Sequence, residues 1–170
     1  MIVSKGFKNN LSTIKTYNNK RQENTMAHSN KLHNSLDTYA RQHKELALKF
    51  QEFARFVKDC TQTPAVANHS ITVSLQHLDR GFFTSTFATR TVTFVFKSFL
   101  DENETLQGNV KTYLQQDFPE SKQILFGEFK FDEDGHTDIK LQDEDTPVNF
   151  SNDLVTLDIV LHFIRESLLK

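Results

Sequence analysis

Seven histidines are the side chains of this 170-residue sequence whose chemistry suits metal binding or proton transfer, but their spacing builds no site. There is no H-x-x-x-H pair on one helix face and no H-E-x-x-H motif, which are the arrangements that place two imidazoles on one ion. His69 and His77, eight residues apart, would meet only through a fortunate tertiary arrangement. We therefore expect no metal and no cofactor. The seven positions are His28, His33, His43, His69, His77, His136 and His162.

An acidic stretch near the C-terminal end suggests calcium at first sight, because carboxylates are the ligands that Ca²⁺ prefers. The EF-hand pattern is absent: no third ligand precedes Gly135 at the right offset, and no glutamate follows at the twelfth position. We expect a solvated hairpin tip and loop, or a docking surface for a basic partner. The residues are Asp132, Glu133, Asp134, Asp138, Asp143, Glu144 and Asp145.

Nucleotide and acyl-transfer chemistry leave no signature in this chain. With five glycines, it has no G-x-x-x-x-G-K-S/T, G-x-G-x-x-G or G-x-S-x-G motif. Cys60 is the single cysteine, so neither an internal disulfide nor a cysteine zinc cluster can form. We predict no catalytic residues, and whether the chain is an enzyme stays uncertain, with a non-enzymatic role favoured. Arg90, between Thr89 and Thr91, either anchors an anionic ligand or faces water.

Residues 32–60 carry apolar side chains at alternating spacings of four and three, which predicts one long amphipathic helix. Alanine recurs beside this seam, at Ala40, Ala47 and Ala54, where another backbone can approach. His43 is the polar position in the seam, and a partner's histidine opposite it would make a pH-sensitive contact. The seam predicts either self-association or burial against the chain's own sheet. The predicted interface consists of Leu36, Tyr39, His43, Leu46, Phe50, Phe53 and Val57.

Charge divides the chain unevenly. Residues 1–31 hold six basic residues and one acidic residue, whereas residues 32–170 hold 14 basic and 21 acidic residues. We predict a flexible basic arm at 1–28 and one domain at 29–170. Nucleic-acid binding through the arm is a weak alternative, since the acidic body would repel phosphate. No apolar stretch is long enough for a membrane span and no secretory signal is evident, so we expect a cytoplasmic protein.

The rest of the chain predicts an antiparallel sheet and two further helices. Residues 105–118 favour a short helix, and 152–169 a buried C-terminal helix. The fold class is α+β: a long N-terminal amphipathic helix, an antiparallel sheet of about five strands in the order α-βββ-α-ββ-α, and a buried C-terminal helix. Strands are expected at 70–78, 82–89, 90–99, 123–131 and 136–141.

This order resembles that of small acidic secretion chaperones, which dimerise and hold a disordered client. The long first helix and the basic arm depart from that pattern. We expect a non-enzymatic protein-binding module (an adaptor, chaperone-like protein or inhibitor) that forms a homodimer through its first helix and binds an unknown protein, with no membrane partner. The alternative is a small-ligand binder or enzyme with a pocket between the phenylalanine-rich sheet and the C-terminal helix. That pocket would use His77, Thr84, Arg90 and Thr93.

Overall fold

The structure is a computed structural model that describes residues 8–116, 120–141, 148–150 and 153–169, without the side chains of 8–32, 65, 153 and 154. The chain divides into two compact units, residues 1–41 and residues 42–170. The second unit contains a five-stranded antiparallel sheet whose spatial order, β1-β2-β3-β4-β5, is also the chain order. The elements are α1 (Lys8–Cys60), α2 (Pro64–Ala67), β1 (Thr72–Ser74), β2 (Phe82–Phe87), β3 (Arg90–Leu100), β4 (Leu106–Gln116), β5 (Lys122–Phe131) and α3 (Asp153–Leu168). The predicted α+β class, with an N-terminal helix, five strands and a C-terminal helix, is confirmed.

Alternation along the strands gives the sheet one phenylalanine-rich face, called here the inner face. Phe83 of β2 lies opposite Phe94 of β3, and their rings stack with centroids 4.7 Å apart. The end of α1 and helix α3 cover this face. The ring centroids of Phe50 in α1 and Phe83 are 5.7 Å apart, and those of Phe163 in α3 and Phe94 are 5.9 Å apart. The apolar core therefore lies between one face of the sheet and two helices.

Residues 106–116 form strand β4, so the short helix predicted at 105–118 is wrong, and positions 117 and 118 of that prediction lie outside the described residues. Its buried positions alternate, at Val110, Thr112 and Leu114, and each faces a residue of β3 on one side and β5 on the other. Sheet pairing on both sides overrides a helical spacing that Gly108 already weakens. Without that middle helix, the chain does not have the element order that resembled secretion chaperones.

Helix α1 begins at Lys8, well before the start near residue 29 that the sequence indicated. Residues 8–28 are rich in asparagine and lack an apolar period, so neither propensity nor pattern predicted a helix there. The arm predicted at 1–28 lies partly outside the described residues, since 1–7 are not described.

The second strand predicted at 136–141 is reduced to two isolated bridges, Phe131 with Thr137 and His136 with Asn149. Before it, the turn after β5 closes as expected, with Gly135 at φ = 84°. The side chain of Asp132 stabilises this turn, because its Oδ1 accepts hydrogen bonds from the backbone N–H groups of Asp134 and His136.

Candidate functional site

The site singled out here is an open groove of about 540 Å³ where β3 begins, β4 ends and β5 begins. We call it the Arg90 groove. Its volume lies within the usual range for small-molecule sites. It combines one arginine with aliphatic and aromatic side chains, which make up four of its eight lining residues. Its lining residues are Arg90, Leu114, Gln116, Ile124, Leu125, Phe126, Gly127 and Glu128.

Strand register explains how these residues meet. Leu114 of β4 lies opposite Val92 of β3 on one side and Ile124 of β5 on the other, so all three project from the inner face. Arg90 precedes Val92 by two residues and therefore projects from the same face. The groove is thus the part of the inner face that lies beyond the core, where β3 and β5 begin and β4 ends.

A β-bulge at Phe126 shapes one wall of the groove. Thr112 lies opposite Gly127 and Tyr113 lies opposite Leu125, which leaves Phe126 as an extra residue in β5. The Phe126 ring packs against Phe163, with centroids 6.1 Å apart. Strict alternation along 123–131 would place Leu125 on the same face as Phe129 and Phe131. Because of the bulge, Leu125 is 49% exposed and does not share a buried face with Phe129 and Phe131, as that alternation had predicted.

Arg90 supplies the positive charge of the groove. Its guanidinium has no hydrogen bond or ion pair with any residue that the structure describes. Glu128 brings a negative charge to the rim, but its carboxylate lies 3.9 Å from the Lys111 ammonium, which offsets that charge. Within the part of the chain that the structure describes, the groove thus holds a cation without a counter-ion, beside apolar side chains.

Two buried hydroxyls of the inner face, Ser85 Oγ and Thr112 Oγ1, have no hydrogen-bond partner among the described residues. Thr112 lies over Gly127, where a Cβ would come within 2.9 Å of the hydroxyl and 2.6 Å of the Phe163 ring. Glycine at this position is therefore a packing requirement. Burying an unpaired hydroxyl lowers stability, since the group loses its bonds to water.

We expect Thr112→Val to raise the free energy of unfolding by about 1 kcal/mol, because valine has the same shape without the unpaired hydroxyl. Urea unfolding followed by circular dichroism measures it. Thr156→Val is the matched control: the Thr156 hydroxyl is buried and donates to the Phe150 carbonyl at 2.9 Å, so its loss should lower stability by about 1 kcal/mol. Equal losses for the two variants would contradict the account of Thr112.

The outer edge of β5 beside the groove is free from Lys122 to Glu128 within the described part of the chain. Farther along, the edge is covered: the Asp138 N–H donates to the Lys130 carbonyl at 3.2 Å, and the Lys130 N–H donates to Asp138 Oδ1 at 2.7 Å. A free edge offers unpaired backbone groups to another strand.

The four predicted pocket residues do not line one pocket. Thr84 and Thr93 face each other across β2 and β3, on the face opposite to Phe83 and Phe94. His77 packs its ring on Phe82, 5.0 Å away, before β2. Arg90 is the one predicted pocket residue that lines the groove. The sequence does not reveal the aliphatic lining, because residues 106–116 have a helical apolar spacing and a one-residue bulge leaves no local pattern.

The predicted interface residues divide into two groups. Four of them are buried in the apolar core of the unit formed by residues 42–170. Leu36 is 54% exposed, Tyr39 is half-buried and His43 is exposed. The buried four are Leu46, Phe50, Phe53 and Val57.

His43 has a partner in the same chain. Its Nδ1 lies 2.8 Å from Ser98 Oγ, and its ring stacks on Phe96 with centroids 5.8 Å apart. A serine beside a histidine is the first requirement for an activated nucleophile, but the histidine also needs a group that orients it. Among the described residues, no carboxylate contacts His43. In the described part of the chain, the pair therefore lacks the third member of a catalytic triad.

Asp132, Asp134 and His136 place three possible metal-ligand atoms within 4.8 Å of one another. Asp134 and His136 are exposed, and His136 Nδ1 lies 3.1 Å from Asp132 Oδ2. The contacts of Asp132 are those that close the turn. This cluster needs no ion to explain its geometry.

No protein-family model matches the chain, no curated protein matches its sequence, and no solved structure matches its fold. In the described part, none of the helices has the length and apolar content to cross a membrane. Function is therefore inferred from the geometry of this chain alone.

Proposed function

We propose that the protein is a non-enzymatic protein-binding module that self-associates, with the free edge of β5 as its contact surface. The observation that carries the proposal is Leu125: this large aliphatic side chain is 49% exposed at the middle of an edge strand. Its neighbour Ile124 is 39% exposed. Exposed apolar edge strands pair readily with strands of other chains.

Residues 123–128 suit antiparallel pairing with a second copy. A two-fold axis at Leu125 places Leu125 of each copy against its counterpart. With Phe126 as the extra residue of the bulge, Gln123 then lies opposite Glu128. No like charges face each other across this pairing, which would otherwise destabilise it. The main-chain bonds of such a pair would give affinity, and the leucine contact would fix the register.

The heptad helix offers a second surface for the same function. Four seam residues are buried in the core and His43 contacts Ser98 and Phe96 of its own chain, so Leu36 and Tyr39 are left for an intermolecular contact. This remainder is short, and it supports a weaker association than the full seam would give. The β5 edge is therefore the preferred surface.

Sedimentation equilibrium of the full chain tests the proposal, with Leu125→Lys and Leu36→Lys as matched variants. Both replaced leucines are exposed, so both variants should keep the wild-type circular dichroism spectrum. We expect a wild-type dimer, a monomer for Leu125→Lys because charge on an edge strand opposes pairing, and a dimer for Leu36→Lys.

A monomeric Leu36→Lys beside a dimeric Leu125→Lys would move the interface to helix α1 and keep the function. A wild type that stays monomeric up to millimolar concentration would overturn the proposal.

A further inference from the structure

We propose that the Arg90 groove binds the carboxylate of an amphiphilic small molecule, of the fatty-acid class, with the carboxylate on Arg90 and the apolar chain along the lining. This site goes beyond self-association: it shares Ile124 and Leu125 with the β5 edge, but three further observations carry it. They are the charge of Arg90, the apolar lining, and the path that joins them.

The charge selects an anion. The Arg90 guanidinium is half-buried and, among the described residues, has no counter-ion. A guanidinium presents its N–H donors in a planar fork that matches a carboxylate, and such bidentate pairs are stronger than neutral hydrogen bonds. Gln116 also lines the groove.

The lining selects an apolar body. Leu114 and Ile124 face each other across β4 and β5, and Phe126 closes the wall against Phe163. Because Ile124 is 39% exposed, an apolar chain laid there would remove hydrocarbon surface from water. An inorganic anion would use Arg90 alone and leave this surface wet.

The apolar side chains extend from Arg90 across β4 and β5, so a bound acyl chain would cross these strands. Arg90 starts β3, Leu114 belongs to β4 and Ile124 to β5. Adjacent strands lie about 4.8 Å apart, so the lining extends roughly 10 Å from the arginine. A medium-chain acyl group covers that distance in an extended conformation, and the volume of about 540 Å³ accommodates it.

Decanoate and 1-decanol are the probes, titrated into the full chain by isothermal calorimetry below their aggregation concentrations. We expect decanoate to bind wild type at least about tenfold more tightly than decanol, since the alcohol lacks the charge that pairs with Arg90. Arg90→Gln should weaken decanoate binding by about tenfold and leave decanol binding unchanged. Arg80→Gln, at an exposed arginine outside the groove, is the matched control and should bind as wild type does.

A second variant, Ile124→Glu, tests the lining and should weaken both probes. Its residue is partly exposed, so the fold should persist by circular dichroism. Equal affinity for decanoate and decanol, no effect of Arg90→Gln, or no binding of decanoate at millimolar concentration would each overturn the proposal. Since Leu125→Lys decides self-association in the absence of ligand, the two proposals can fail separately.

Discussion

Phe53→Ala should lower the free energy of unfolding by about 3–5 kcal/mol, the usual cost of removing a buried aromatic ring. Phe53 is 2% exposed and its ring contacts those of Phe50, Phe83, Phe129 and Phe150. It thereby joins α1 to strands β2 and β5 and to the segment before α3. Domains of this size have about 5–15 kcal/mol in total, so the variant should be close to unfolding at 37 °C.

Leu48→Ala is the control for this experiment, because Leu48 lies on the same helix and is 46% exposed. Its replacement should change stability by less than about 0.5 kcal/mol. Urea unfolding at two protein concentrations measures both variants. If the Phe53→Ala loss grew with protein concentration, Phe53 would belong to an interface between copies rather than to the core of one chain.

Gly108→Ala should lower the free energy of unfolding by about 1–3 kcal/mol, through overpacking rather than through a cavity. Gly108 of β4 lies opposite Phe131 of β5, and a Cβ there would lie 2.3 Å from Cε1 and Cζ of the Phe131 ring. The ring cannot simply swing away, because it packs on Phe96 and Phe150 at centroid distances of 5.8 and 4.8 Å.

A double-mutant cycle isolates this contact. Phe131→Leu removes the ring atoms that meet the new Cβ, so Gly108→Ala should cost less in that background than in wild type. Thermal and urea unfolding of the four proteins give the coupling free energy. Strict additivity of the two single changes would show that the clash is relieved by movement elsewhere.

Much of the fold could be predicted because its signals are local. Val92, Phe94 and Phe96 alternate as a half-buried strand does, and α3 has a regular apolar spacing ended by polar flanks. The error at residues 105–118 has a physical cause: Leu106, Val110, Tyr113 and Leu114 fit a helical spacing, but two neighbouring strands pair with this segment. Such pairing is a tertiary contact that no local pattern contains.

The candidate site was less predictable than the fold. Arg90 was noted as a possible anion anchor, since an arginine between threonines in a strand is a visible feature. Its neighbours Leu114 and Ile124 are 24 and 34 positions away in the sequence, and only the register brings them together. A one-residue bulge at Phe126 decides which side chains face the groove, and one inserted residue leaves no compositional trace.

The heptad spacing of α1 extends beyond the residues that are buried in the core. A 4-3 repeat of apolar residues indicates a helix with one buried side, but it does not say what buries it. Four residues of the repeat are buried in the chain's own core: Leu46, Phe50, Phe53 and Val57. Leu36 and Tyr39 continue the repeat with an exposed and a half-buried side chain. The burial of the repeat therefore changes along a single helix.

The strand order has a consequence for how the chain folds during synthesis. Each of the five strands pairs with its nearest neighbour in the chain, so the sheet can close by successive hairpins with short loops. Helix α3, which covers Phe94 and Phe129, leaves the ribosome only after all five strands. Until then the part of the phenylalanine face that α3 covers is exposed to solvent or to a chaperone. A ribosome-bound chain from which α3 has not yet emerged should therefore be prone to aggregation. A ribosome-bound chain with a C-terminal linker long enough for α3 to emerge should not.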